Sequence, residues 1–386
     1  MKAANFGFTC VAYVATLVFT FATVHAGENK PAGSREKERA LAAAKKAAAY
    51  LLKQANKDGT FGQAKGREMP GVVGLVVWAL AESPEKPREN NCPEIAAAAK
   101  YLVGLQTETG SIAIPLMGLE NYNTSVSAVA LKVLENPAYE PVLEKAKNYI
   151  LSCQLDENSG YDPEKHKRAF GGIGYGSAKK ADVSNTAFGL EALVRLGLPK
   201  DSPAFKNAEK FLKRSQDNAE TNDTEYMQGS DNTGAFTYGP GESRFGTVKA
   251  KSGKMVPKPY ASMTYQAVKS LIYCGMTLDD PAMKAAWKWI GENYSVETNP
   301  GGEGMQGYFY YVVAFAKAFT AAGQKELTLA DGGKVRWSHD LSRHLTALQG
   351  ADGSFTNPAD RWMEGDPVLA TAYALLALNL CIADME

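Results

Sequence analysis

The sequence predicts an all-α chain folded as an (α/α)6 toroid, a closed ring of six helical hairpins with apolar inner and amphipathic outer helices. Three observations carry this. Helix-like segments run repeatedly into a Gln or Asn and a Gly-rich turn, as in Leu51-Leu52-Lys53-Gln54 before Asp58-Gly59-Thr60-Phe61 and Ala347-Leu348-Gln349 before Asp352-Gly353-Ser354-Phe355. Repetition at this scale marks one supersecondary unit used many times. The segments on the two sides of each turn differ in pattern. Finally, the terminal units, Lys45 to Glu82 and Ser342 to Ala383, are as apolar as the middle ones. An open solenoid needs polar capping repeats, so the ring closes.

The segments before the turns end at Gln54, Gln106, Gln154, Gln216, Asn293 and Gln349. In the fourth, Phe205, Ala208, Phe211 and Leu212 keep helical spacing, with Lys206, Lys210, Lys213 and Arg214 on the other side. That is a one-faced amphipathic helix. The segments after the turns read differently. Val72 to Leu80, Ser125 to Leu134, Thr186 to Val194, Tyr308 to Phe319 and Val368 to Leu380 are apolar around most of the circumference. Such helices must be buried on all sides. Two concentric layers follow. At the turns, Gly59 and Gly353 supply positive φ, Phe61 and Phe355 tuck beneath, and the Gln side chains cap turn backbone. The Gln residues receive a structural role only.

Residues 1–26 read as an export signal. Lys2 gives the basic start, Val11 to Ala22 is apolar, and Val24-His25-Ala26 is a small-residue cleavage site. The apolar run is short beside the ~20 residues a membrane span needs. Residues 27–39, polar and rich in Lys, Glu, Pro and Gly, are expected to be a flexible leader, and 40–386 one toroid domain. The protein is therefore expected to be periplasmic or secreted. With 42 basic and 42 acidic residues the chain lacks the electrostatic footprint of a nucleic-acid or anionic-membrane binder. Export permits disulfides among Cys92, Cys153, Cys274 and Cys381, but the last three sit in apolar helical sequence, where a free buried thiol is the ordinary outcome.

Helix, Gln, Asp-Gly-Ser/Thr-Phe, then apolar helix resembles the repeat of the squalene cyclase and protein prenyltransferase superfamily, with Phe61 and Phe355 where that family usually has Trp. Tyr260-Ala261-Ser262-Met263-Thr264-Tyr265, Gln306-Gly307-Tyr308-Phe309-Tyr310-Tyr311 and Asp360-Arg361-Trp362-Met363-Glu364-Gly365-Asp366-Pro367 are similar to exported bacterial proteins carrying prenyltransferase/squalene-oxidase repeats. The resemblance spans essentially all of 40–386 and implies the same α/α toroid. It also implies a departure. Protonating cyclases of this superfamily carry Asp-x-Asp-Asp-Thr-Ala at the start of an inner helix, and their middle Asp protonates an alkene. Here Asp182-Val183-Ser184-Asn185-Thr186-Ala187 places Ser184 and Asn185 at the two later positions. Neither is a strong acid, so the usual cyclisation chemistry is not expected. The prenyltransferase zinc set of Asp, Cys and His has no counterpart, since His166, His339 and His344 lie outside inner-helix segments. No metal or cofactor is expected.

In a toroid the N-termini of the inner helices gather at one end of the cavity. The candidate acids there are Asp182, Glu364 and Asp366, and the candidate ligand-binding residues are Tyr122, Asn185, Tyr265, Tyr308, Tyr310, Arg361 and Trp362. Aromatic and polar groups together make a small-molecule lining. Each has a plainer reading. Asp182, Ser184 and Asn185 suit helix capping; the Tyr308–Tyr311 cluster suits core; Arg361 to Asp366 suits a loop ion pair with Asp366 capping before Pro367. Three functions stay open: binding of an apolar or isoprenoid-type ligand, terpenoid or polyprenyl processing through another acid, and a glycan hydrolase or lyase. The last rests on fold analogy and would need a carboxyl pair roughly 5–10 Å apart across an open groove.

Overall fold

The computed structural model describes Met1 and residues 32–62, 69–115, 117–176 and 180–386; the expected export signal, beyond Met1, and residues 27–31 of the expected leader lie outside the described residues. Six helices form an inner ring: α2 (Pro70–Ala81), α4 (Glu120–Val133), α6 (Val183–Arg195), α8 (Ala261–Tyr273), α10 (Tyr308–Ala322) and α12 (Pro367–Asp384). Six more surround them: α1 (Ala32–Lys53), α3 (Pro93–Gly104), α5 (Glu140–Ser152), α7 (Pro203–Arg214), α9 (Pro281–Glu292) and α11 (Trp337–Leu348). Each inner helix packs on the next in chain order, and α12 packs back on α2, so the ring is closed. Two short antiparallel hairpins, Thr247–Lys249 with Met255–Pro257 and Glu326–Thr328 with Lys334–Arg336, decorate it.

The layers follow from side-chain pattern. Every residue of α2 is buried, because a helix with no polar stripe has nothing to offer water. In α7 the buried set includes Phe205, Ala208, Phe211 and Leu212, the face read from the sequence. One described helix, α12, is long and apolar enough to cross a membrane, yet 72% of it is buried as wall of the ring. The leader was expected to run to Arg39, but residues 32–39 belong to α1. Its charged face explains why: Glu36 pairs with Arg39 one turn on at 4.0 Å and reaches Arg343 of α11 at 3.6 Å. Cys92, Cys153, Cys274 and Cys381 are free.

The turn Gln does more than cap its own turn. Gln154 Nε2 donates to Gly171 O (2.8 Å) and to Ala204 O in the first turn of the next outer helix (2.9 Å). Gln216 does the same with Gly234 O and Ala282 O, and Gln106 with Gly110 O and Val142 O. Gln349 donates to Gly353 O and to Ala43 O of α1, joining the last unit to the first. The turn glycine seats on the same neighbour. Gly353 has φ +94°, and a Cβ there would lie 2.4 Å from Lys46 O. A second clasp faces inward: the N–H of Ile112, Ile173, Phe236 and Phe355 donates to Thr124, Thr186, Thr264 and Thr371 on the following inner helix, at 2.9 to 3.0 Å.

One buried charge cluster has no counterpart in the sequence-level expectations. Glu191 on α6 accepts from Lys269 on α8 at 2.8 Å and from Lys317 on α10 at 2.9 Å. Arg195 stands 3.8 Å from Glu191 and 2.8 Å from Glu82 at the end of α2, and the Lys317 ammonium sits 3.7 Å over the Trp78 ring. Burial pushes the Glu191 carboxyl up, but the charges of Lys269, Lys317 and Arg195 outweigh it and hold it well below the carboxylate range. Burial carries Lys317 down to about 7 against the pull of Glu191. The cluster ties four inner helices at the end of the ring where their C-termini lie.

Three outcomes test this account. Gly353→Ala should cost about 1–3 kcal/mol in denaturant unfolding, through the positive φ and the Lys46 carbonyl. Gly104→Ala, at a helical position with open space around it, should be neutral or stabilising by up to roughly 1 kcal/mol. Glu191→Gln strands two buried ammonium groups and should cost about 3–5 kcal/mol in the same measurement.

Candidate functional site

The N-terminal turns of all six inner helices line one cavity of about 270 Å3. Val72, Tyr122, Phe188, Met263, Tyr310 and Leu369 supply one wall residue from each helix. An aromatic box lies within: Tyr122 meets Phe188 edge-on at 4.9 Å, Phe188 faces Tyr310 at 6.1 Å, and Tyr310 meets Tyr373 at 6.2 Å. Its hydroxyls are paired, Tyr122 with Tyr373 at 3.2 Å and Tyr310 with Ser184 at 2.9 Å. Burial pushes the Tyr122 phenol up to about 12 and raises Tyr310 as well. These groups stay neutral at physiological pH, so the box is apolar with a few fixed hydroxyl dipoles.

The candidate acids sit at helix N-termini, and capping explains all three. Asp182 is the N-cap of α6. Its two oxygens accept from the Asn185 backbone N–H and the Asn185 side-chain amide, both at 2.8 Å. It lies behind the wall, whose surface here is Asn185 and Ser184. Burial raises its pKa to about 6, against the Asn185 hydrogen bonds that lower it. Glu364 does line the cavity. It caps α10 from the preceding loop of another unit, accepting from Tyr310 N (2.8 Å), Phe309 N (3.1 Å) and Asn357 Nδ2 (2.7 Å). Burial raises its pKa while those donors oppose the rise. Asp366 caps α12 through Val368 N at 2.7 Å and does not reach the cavity.

Of the candidate ligand-binding residues, Tyr122, Asn185, Tyr310 and Trp362 line the cavity. Tyr265 and Tyr308 do not. Tyr265 packs between Tyr311, Phe315 and Phe319. Tyr308 donates to Val296 O and packs against His344 of the outer layer. Helical geometry is the reason: Tyr308 and Tyr310 lie two residues apart on α10 and therefore face opposite ways. Arg361 is on the rim. It donates to Gln306 Oε1 (2.7 Å) and Arg244 O (3.0 Å), and its guanidinium lies 4.3 Å over Trp362. Trp362 and Met363 both hold positive φ, +62° and +65°, a conformation bulky residues reach only where surrounding structure enforces it. Trp362 is 46% exposed and meets Phe245 edge-on, forming one lip of the cavity.

Sequence reasoning missed Tyr175, Tyr238 and Arg244, which come from loops rather than helix starts. For Tyr238 and Arg244 the signal was the length of the connection between α7 and α8, residues 215–260, since long loops in compact domains tend to be functional. Arg244 lies 4.1 Å over the Tyr238 ring, and Tyr238 pairs with Tyr175 hydroxyl to hydroxyl at 3.2 Å. Among the described residues no group of three or more His, Cys, Asp or Glu could hold a metal. Glu364 is the one carboxyl on the described cavity wall, so an opposed carboxyl pair is lacking there.

No family model matches the chain, and no curated protein sequence matches it. Solved structures do. The type II terpene cyclase MstE from Scytonema, as a variant in complex with merosterolic acid A, is 12% identical with a TM-score of 0.54, covering 91% of this chain and 99% of its own. Apo MstE is 13% identical with a TM-score of 0.51, covering 90% and 99%. A protein from Actinoplanes is 16% identical with a TM-score of 0.51, covering 89% and 99%. The likeness is one of fold: the chain has the α/α toroid of these proteins.

The raised pKa of Asp182 gives a pH signature. Its folded value, about 6 against an ordinary 3.8, means the native state binds the proton more tightly. Its contribution to stability is therefore full below pH ~4 and lost as pH rises through 6. Asp182→Asn removes this. The variant should gain on wild type by up to about 3 kcal/mol between pH 4 and pH 7, at 1.36 kcal/mol per pKa unit, measured by denaturant unfolding at both pH values.

Proposed function

We propose that this protein is an exported toroid that binds an apolar, isoprenoid-type small molecule in its central cavity, without the protonating cyclisation associated with its fold. One observation carries the reading. Ser184, at the position where protonating cyclases hold their acid, is on the cavity wall with its hydroxyl against Tyr310, and the wall's single described carboxyl, Glu364, already accepts three N–H donors. Protonating an alkene needs a carboxylic acid kept neutral and aimed at the substrate. Burial raises the Glu364 pKa, but both its oxygens are turned to the α10 N-terminus and Asn357 rather than aimed at a substrate. Aromatic faces and neutral hydroxyls instead suit an unsaturated hydrocarbon. The toroid of MstE, whose solved complexes hold merosterolic acid A and geranylgeranyl dihydroxybenzoate, supports a terpenoid-sized guest by analogy of fold.

Asp182 favours a second reading. A buried carboxyl with a pKa near 6 behind Asn185 is the acid through which turnover of a terpenoid would run, should the wall open onto it.

Native mass spectrometry and lipid extraction of protein purified from its own host decide between these. An isoprenoid should co-purify unchanged with wild type and be depleted several-fold in Trp362→Ala, which opens the lip. Conversion of an added terpenoid, abolished in Asp182→Asn, would establish the second reading. Oligosaccharide turnover with no bound lipid would sink both.

A further inference from the structure

Resting on that reading of the cavity, we infer that the guest carries an anionic head, a carboxylate or phosphate, bound by Arg244 at the mouth with its apolar tail in the aromatic box. Arg244 is the one cationic side chain among the described residues that line the cavity. Its guanidinium lies 4.1 Å over the Tyr238 ring, which anchors it, and the side chain is still 38% exposed at the mouth.

Its own charge is poorly answered. Arg244 pairs with Glu242 at 4.0 Å, the limit of such a contact. Glu242 is already engaged by Lys180 at 2.9 Å and stands 4.0 Å from Arg168. Three cations thus share one carboxylate. Arg361 adds a fourth positive charge beside them, since it donates to the Arg244 carbonyl and to the neutral Gln306. Of the carboxyls on the inner side, Glu364 is spent on the α10 N-terminus; Asp182, tied to Asn185 behind the wall, feels the charge of Arg244 but leaves the four cations facing two carboxylates. A mouth with net positive charge over an apolar chamber fits an oxyanion-headed amphiphile, because a guanidinium presents two parallel N–H donors to two oxygens. A cavity of about 270 Å3 admits at least a short isoprenoid tail, so a ten-carbon skeleton is a fitting first probe.

The test is binding of three probes of one skeleton, geraniol, geranic acid and geranyl monophosphate, to the whole protein by calorimetry. At least one anionic probe should bind wild type about 10- to 100-fold more tightly than geraniol, the range hydrogen bonds to charged groups command. Arg244→Gln should erase that preference, and an unchanged circular-dichroism spectrum shows that the variant is folded. If Arg244→Gln also loses geraniol, Arg244→Lys serves: it should keep part of the preference. Which anion wins separates a carboxylate from a phosphate head. Geraniol binding as tightly as both anions, or an anion preference unmoved in Arg244→Gln and Arg244→Lys, overturns the inference and leaves the apolar cavity standing. If none of the probes binds, the cavity reading falls and this inference with it.

Discussion

The structure depends on a clasp that is only a few atoms wide. At four outer helices a Gln amide, that of Gln106, Gln154, Gln216 or Gln349, reaches both its own turn and the neighbouring outer helix, while a glycine beside it lets the backbone touch that neighbour. Hairpins of helices have no reason of their own to stand in a circle. Here, Gln154 to Ala204, Gln216 to Ala282 and Gln349 to Ala43 fix the step from one unit to the next. The last of these is a contact between residues 306 positions apart. It makes the ring a cycle rather than a stack with two ends, and so removes the exposed apolar faces that an open array would have to cover.

Closure also decides what the acidic residues do. Once the inner helices converge at their N-termini, unpaired N–H groups and positive dipole ends are crowded around the cavity. Carboxyls placed there are drawn into capping. Asp182 and Asp366 cap their own helices, and Glu364 caps a helix that belongs to the unit before it. The same positions that would make an acid useful to a substrate make it useful to the fold. A residue freed from capping, such as Ser184, is then free to face the cavity.

The architecture was legible because it is written in periodicity. The stripe at Phe205, Ala208, Phe211 and Leu212 and the stripe-free run of α2 each admit one burial pattern. The cavity wall was legible where it lies on those helices, at Tyr122, Asn185 and Tyr310. It was misread where a run of similar residues had to be divided between two faces: Tyr308 and Tyr310 look alike in sequence and are separated by helical phase alone. Arg244 and Tyr238 were hidden because they come from a long connection without a period. The Glu191 cluster was hidden for a different cause. Lys269 and Lys317 are single charges in apolar helices, and only the packing of α6, α8 and α10 reveals that they share one partner.

That cluster has a consequence for traffic. Lys269 lies six residues past Met263 on α8, and Lys317 seven past Tyr310 on α10, which at about 1.5 Å per residue puts the ammonium groups roughly 10 Å beneath the aromatic box. The bore is therefore stoppered at its foot by ions too costly to part. A chamber closed at its foot is entered past the lip where Trp362 stands.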